Sequence, residues 1–214
     1  MVITISYKVF DLYAERYESW YTRNPILFEC EAETIRSLNL KGKGLSIGIG
    51  TGILDSQAPI DVGIEPSINM LKIALTRKID LIRAVGEHLP IKNEAFDFVL
   101  MITTLCFVSS PQKTIEEAKR VLRCGGNLAI CFIPRDSSWG KEYRKKAEAG
   151  HKIYSLAHFY TLSEVRRLLK RNLMHITSTK ATITYSPSEK PKKEKPTDDP
   201  SNKSFICIKA KKYC

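Results

Sequence analysis

Leu45-Ser46-Ile47-Gly48-Ile49-Gly50-Thr51-Gly52 is a short apolar run that passes directly into three glycines at alternate positions. Glycine lets a chain turn with positive φ and brings bare backbone close to a ligand. A dinucleotide fingerprint would carry its third glycine at position 53, where this chain has isoleucine. The Gly-x-Gly-x-Gly spacing suits a smaller ligand, whose sugar and amino-acid parts lie against the loop. The next apolar run, Ile60-Asp61-Val62-Gly63-Ile64-Glu65, ends in an acid 17 residues after Gly48. In an open α/β sheet, ligands bind beyond the carboxyl ends of the strands. A carboxylate there can accept hydrogen bonds from both hydroxyls of a ribose. Its plainer role would be an exposed acid at a helix start, favoured by the helix dipole.

The pattern continues on both sides of this pair. Residues 9–21 read as a helix with Phe10, Tyr13, Tyr17 and Trp20 on one face. Asn24-Pro25 opens a second helix with Leu27, Cys30, Thr34 and Leu38 on one stripe. Downstream, helices are expected at Ile68–Arg77 and Thr114–Leu122, and strands at Asp80–Val85, Phe96–Ile102 and Asn127–Ile133, with Arg123–Gly126 as a break. Phe96–Ile102 is almost continuously apolar, as a central parallel strand should be. Strands alternating with helices imply a parallel sheet with right-handed crossovers. Lys141–Gly150 reads as a charged helix, and Thr161-Leu162-Ser163-Glu164 as a capping box opening another through Arg171. His175–Tyr185 and Phe205–Ala210 are β-rich. The fold class is therefore α/β: a doubly wound, mostly parallel, seven-stranded Rossmann-like sheet with helices on both faces and an antiparallel C-terminal strand. The expected organisation is one domain over 1–214, with 1–40 as a helical lid and 186–203 as a mobile, unpacked Pro/Lys-rich loop.

With 214 residues, 43% hydrophobic and 27% charged, the chain can bury a full core, which excludes a disordered chain or a disulfide mini-protein. No apolar run is long enough for a membrane span, and the first eight residues lack the pattern of a signal peptide, so a cytoplasmic address is expected. None of the six cysteines forms a CxxC pair and the four histidines add no zinc spacing, so no metal site is expected. Cys106, Cys131 and Cys207 lie in apolar runs, as small buried hydrophobes. An even count allows disulfides, but a cytosolic context argues against them. The net charge of +11 is uneven: residues 1–134 carry 15 basic and 15 acidic side chains, residues 135–214 carry 19 and 8. The basic part could face an anionic partner such as nucleic acid, but without interleaved aromatic motifs a solvated surface is favoured.

Leu45–Gly52, Ile64-Glu65-Pro66-Ser67, Glu87-His88-Leu89-Pro90, Phe96-Asp97-Phe98-Val99 and Val121-Leu122-Arg123-Cys124-Gly125-Gly126 stand in the order and spacing of class I S-adenosylmethionine-dependent methyltransferases. The chain resembles their type 11 branch over roughly residues 9–175, including the opening run Tyr13–Tyr21. The resemblance implies S-adenosylmethionine as cofactor, and it implies roles. Gly48, Ile49, Gly50 and Gly52 would line its methionine and ribose. Glu65 would bind the ribose hydroxyls, with Pro66 and Met70 beside the adenine. Gly86, Glu87 and His88 would form the adenine-edge loop. Thr103 and Thr104 would lie near the methionine, and Tyr17 and Trp20 would close over it. Two positions depart from the family: Ser46 replaces an acid that orients the amino-acid end, and Val85 replaces one that contacts the adenine amine.

A sulfonium already activates its methyl group, so orientation suffices, contributing ~7–11 kcal/mol, and no catalytic residue is assigned. Tyr17, Cys106, Phe107, Tyr143, His158 and Tyr160 are candidate pocket residues, with His158 expected in the packed core. Thr103-Thr104-Leu105-Cys106 stands where the family has an Asn/Asp-Pro-Pro-Tyr run in members that methylate an amino group on a base or glutamine, and its absence tilts the acceptor towards a small molecule. An RNA or protein methyltransferase using the basic C-terminal region, and a non-catalytic cofactor-binding domain, are the alternatives.

Overall fold

The computed structural model describes residues 6–214. Met1–Ile5, which carry much of the leader reading, lie outside them. Seven strands form one sheet: β1 (Gly44–Ile47), β2 (Ile60–Ile64), β3 (Asp80–Ile82), β4 (Phe96–Ile102), β5 (Leu122–Phe132), β6 (Met174–Thr182) and β7 (Phe205–Lys212). Their order is β3-β2-β1-β4-β5-β7-β6. The first five are parallel, and β7 runs antiparallel between β5 and β6. The chain reverses its winding between β1 and β4, so the loops that leave those two strands face each other across a crevice.

Helices α1 (Ser6–Arg23) and α2 (Pro25–Ser37) cover one face, where Tyr21, Leu27, Cys30, Ile35 and Leu38 pack on Phe98, Leu100 and Ile102 of β4. Helices α4 (Pro111–Val121) and α6 (Leu162–Arg171) cover the other, where Ile115, Ala118, Val121, Val165 and Leu169 meet Val99, Met101, Ile130 and Ile208. Alternate residues of β4 thus feed opposite cores, which explains its unbroken apolar sequence. Helix α3 (Ile68–Ala74) follows β2, and α5 (Ser138–Glu148) lies beyond β5. The capping box forms as expected: the Glu164 amide donates to Thr161 Oγ1, and the Thr161 amide to Glu164 Oε2.

Several boundaries move for physical reasons. Helix α4 ends at Val121, ahead of Arg123–Gly126, but β5 starts at Leu122 rather than Asn127 and passes these residues as a bulge with Gly125 at φ 78°. Helix α3 stops at Ala74, and a 3₁₀ turn at Leu75–Arg77 ends on left-handed Lys78. Helix α5 starts before Lys141 because the Ser137 hydroxyl caps the Gly140 amide. The Pro/Lys-rich segment makes contacts: Lys193 pairs with Glu33 of α2 at 3.3 Å, and Thr197 bridges Ala181. The expectation of an unpacked stretch overlooked these partners, which come from distant parts of the chain. Against the cysteine expectation, Cys131 and Cys207, opposite each other on β5 and β7, are joined, as are Cys124 and Cys214. Cys30 and Cys106 are free thiols. Among the described residues no helix is long and apolar enough to cross a membrane, and no group of side chains could hold a metal ion.

Candidate cofactor crevice and acceptor chamber

The amides of Gly48 and Ile49 both donate to the Ile64 carbonyl, at 2.8 and 3.0 Å, pinning the glycine loop to the end of β2. Gly48, Gly50 and Gly52 all have positive φ. A side chain at Gly48 would strike Thr104. At Gly50 no described atom lies within 4 Å of a would-be Cβ, so this backbone faces open space, as a ligand cradle requires. Glu65 is 6% exposed. Its carboxylate accepts from the Gly50 amide at 3.0 Å and the Ser67 amide at 2.9 Å. Burial pushes the carboxyl up to about 7, opposed by those two amides. Ser67 caps α3, placing Pro66 and buried Met70 beside Glu65.

Ser46 points into the same region and donates to Asp55, a 4% exposed carboxylate nine residues further on. Burial lifts Asp55 to about 7, and the Glu65 charge adds to the lift. A carboxylate thus stands beside the position where the family places one, reached through a serine. Nothing in the spacing of Gly52-Ile53-Leu54-Asp55 reveals this, because only the 3₁₀ turn at Asp55–Gln57 brings it back to β1.

Helix α1 lies across the crevice. Its Asp11 carboxylate accepts from Ser67 Oγ at 2.7 Å and the Asn69 amide at 2.9 Å, and Glu18 pairs with Arg77, whose Nε reaches the Thr51 carbonyl. Thr103 and Thr104 close the β4 side: Thr104 Oγ1 donates to the Gly48 carbonyl at 3.2 Å, while Thr103, at φ 49°, donates its amide to Cys131. Thr103 also lines an adjoining chamber of about 420 Å³. Of the candidate pocket residues, Tyr17, Cys106, Phe107, Tyr143 and Tyr160 share that lining, joined by Trp20, expected over the cofactor, and by Glu31, which the sequence did not single out. Burial drives the Cys106 thiol up to about 12, and that thiol donates to the Thr103 carbonyl, which makes it a poor nucleophile.

Other candidates stand elsewhere. Glu87 accepts from the Ser109 and Ser110 amides, and exposed His88 lies 3.2 Å from Lys113, so both side chains attend α4. Gly86 is buried, with Ile47 and Thr114 against its α-carbon. Arg83, from the end of β3, donates to the Pro66 carbonyl, a basic neighbour of Glu65 absent from its local sequence. His158 corrects an expectation: it is exposed, lines a separate surface groove with Arg135 and Arg144, and is not in the core. A chain turn that hydrogen-bonds the His158 amide to Cys106 leaves its ring outside.

The family model described as a methyltransferase domain, type 11, matches residues 45–130, from β1 into β5. A solved structure from Thermotoga maritima, described as a SAM-dependent methyltransferase, possible histamine N-methyltransferase, superposes with a TM-score of 0.89 at 32% identity, covering 97% of this chain and 99% of that one. The chain belongs to the S-adenosylmethionine-dependent methyltransferases. An uncharacterized protein of Methanocaldococcus jannaschii is 41% identical to this methyltransferase over 95% of its chain and 98% of the relative. An uncharacterized protein of Mycobacterium tuberculosis is 35% identical over 81% of it, and there the chain spans 62% of the relative. The methyltransferase uses S-adenosylmethionine as cofactor and transfers its methyl group to an acceptor. Its own residues fit that cofactor: an open backbone cradle at Gly50, a carboxylate suited to ribose hydroxyls at Glu65, and a second at Asp55 suited to an ammonium group.

Proposed function

We propose that the methyltransferase acts on a small molecule enclosed in the aromatic chamber, with its cofactor held between the glycine loop and Glu65. The observation that carries this is the chamber itself, about 420 Å³, walled by aromatic rings and lined by Thr103, whose neighbour Thr104 bonds to the Gly48 carbonyl of the glycine loop. Walls of this kind suit a compact, partly apolar acceptor shielded from water. Gly48, Ile49, Gly50 and Gly52 present backbone to the methionine and ribose, and Glu65 accepts from the ribose hydroxyls. Pro66 and Met70 flank the adenine, with the Gly86–His88 backbone along its edge. Thr103 and Thr104 border the methionine, Asp55 through Ser46 takes the place of the family's acid, and Tyr17 and Trp20 complete the lid. When bound, S-adenosylmethionine supplies an electrophilic methyl carbon, whose bond to sulfur breaks as the acceptor atom bonds to it.

The chain's own contribution is orientation and exclusion of water. Held near 3–3.5 Å and in line, reactants gain roughly 7–11 kcal/mol over free encounter. Helix α1, tied down by Asp11 and Glu18, keeps the crevice covered. Residues 6–214 form one unit in this reading, with α1 and α2 as its lid. Calorimetry with S-adenosylmethionine, followed by an acceptor screen using tritiated methyl donor, tests it. Binding with label entering a small amphipathic compound is expected, and label entering only RNA or protein would refute the enclosed-acceptor reading.

A further inference from the structure

Glu31 is a carboxylate that neither the fold nor the cofactor crevice uses. It sits on α2, 3% exposed, and lines the aromatic chamber. Tyr21 donates its hydroxyl to Oε2 at 3.1 Å. Among the described residues, Oε1 has no hydrogen-bond partner and no cation lies within ion-pairing distance of the group. A buried acid with half its acceptor capacity turned to a cavity is costly unless a donor arrives. The side chains around it, Tyr17, Trp20, Tyr21 and Tyr143, present ring faces and edges. Aromatic walls about a carboxylate form a site for a cation bearing N–H groups.

We propose that the methyl acceptor is a small, partly apolar monoamine whose nitrogen seats on Glu31, a reading that rests on the enclosed small-molecule function above. An anionic acceptor would be repelled by an ionised Glu31, and an alcohol could donate to its second oxygen but would leave the buried charge without a counter-charge. An ammonium satisfies it and can then be deprotonated in place. The proton moves from nitrogen to a Glu31 oxygen, the nitrogen keeps the freed electron pair, and the ion pair becomes a neutral amine beside a neutral acid. Burial supports this transfer, because it holds the Glu31 carboxyl up at about 8. The proton leaves to water when the product departs. Arg16 and Lys146, the latter 3.5 Å from Glu142, border the same chamber, and burial together with their charges depresses the His151 imidazole. That positive rim disfavours a second cationic end, which makes the ligand a monoamine rather than a diamine.

The test is calorimetry on the whole protein saturated with S-adenosylhomocysteine. Benzylamine, 2-phenylethylamine and tryptamine are titrated against their matched alcohols and against 1,5-diaminopentane. At least one amine should bind about tenfold or more tightly than its alcohol and than the diamine. Glu31→Gln, which keeps a partner for Tyr21, should erase that preference while S-adenosylhomocysteine affinity stays the same, and Glu31→Asp should restore part of it. Alcohols binding as well as amines to the wild-type protein would overturn the proposal, whatever the variants do. So would retained preference in Glu31→Gln, or cofactor-product binding with no amine bound; the diamine binding best would overturn the monoamine assignment. Failure to bind S-adenosylhomocysteine at all would instead sink the underlying function.

Discussion

Glu65 holds the glycine loop and the start of α3 with one carboxylate, because each oxygen takes one amide from a different turn. Glu65→Ala should therefore weaken S-adenosylmethionine binding by roughly 1.5–3 kcal/mol, the range for a hydrogen bond to a charged group. Calorimetry that returned the wild-type affinity would remove Glu65 from the ribose. A second expectation concerns protons. Burial, opposed by the hydrogen bonds each accepts, lifts both Glu65 and Asp55 to about 7. Ribose hydroxyls and an ammonium group favour the ionised carboxylates, so binding lowers both values and releases protons. Affinity should thus fall as pH drops below about 7, and the heat of binding should change with the ionisation enthalpy of the buffer. A flat profile from pH 6 to 8 would contradict these roles. At this scale the sequence was informative about Glu65 and the glycines, whose partners are near in the chain. It was silent on Asp55 and Glu31, because their meaning comes from burial beside β1 and α1, which no local pattern encodes.

Among the elements, α1 is held by polar ties as well as by its aromatic stripe. Asp11 supplies a carboxylate to the N-terminus of α3, where backbone amides lack partners. Asp11→Ala should loosen α1, raising the KM for S-adenosylmethionine severalfold and speeding amide hydrogen exchange across residues 6–23. Unchanged exchange would show that packing alone holds the helix. Helix α6 depends on its reciprocal cap. Thr161→Ala should cost about 1 kcal/mol, a drop of about 2–4 °C in Tm for a chain of this size by thermal denaturation. Helix α1 was legible as an amphipathic repeat, and α6 from its four-residue capping box. Their docking was not, since the partners of Asp11 lie 56 and 58 positions away.

Across the whole molecule, the antiparallel pair β6 and β7 completes the sheet, and two disulfides join β5 to β7 and to the C-terminal residue. Titration of the denatured, unreduced protein should find two thiols, Cys30 and Cys106, and six after reduction. Reduction should cost roughly 2–4 kcal/mol per bridge in denaturant unfolding. Six thiols before reduction would exclude the pairings. The α/β order, the parallel core and the glycine loop are written in the chain, because continuous apolar runs, helical stripes and glycine spacing act over a few residues. Which carboxylates end up buried together, which cysteines face each other, and that a lid helix and α2 wall a chamber around Glu31 were decided only on folding. Those contacts join residues far apart in sequence, and their energies come from desolvation and packing, which exist only once the sheet and both helical layers have closed.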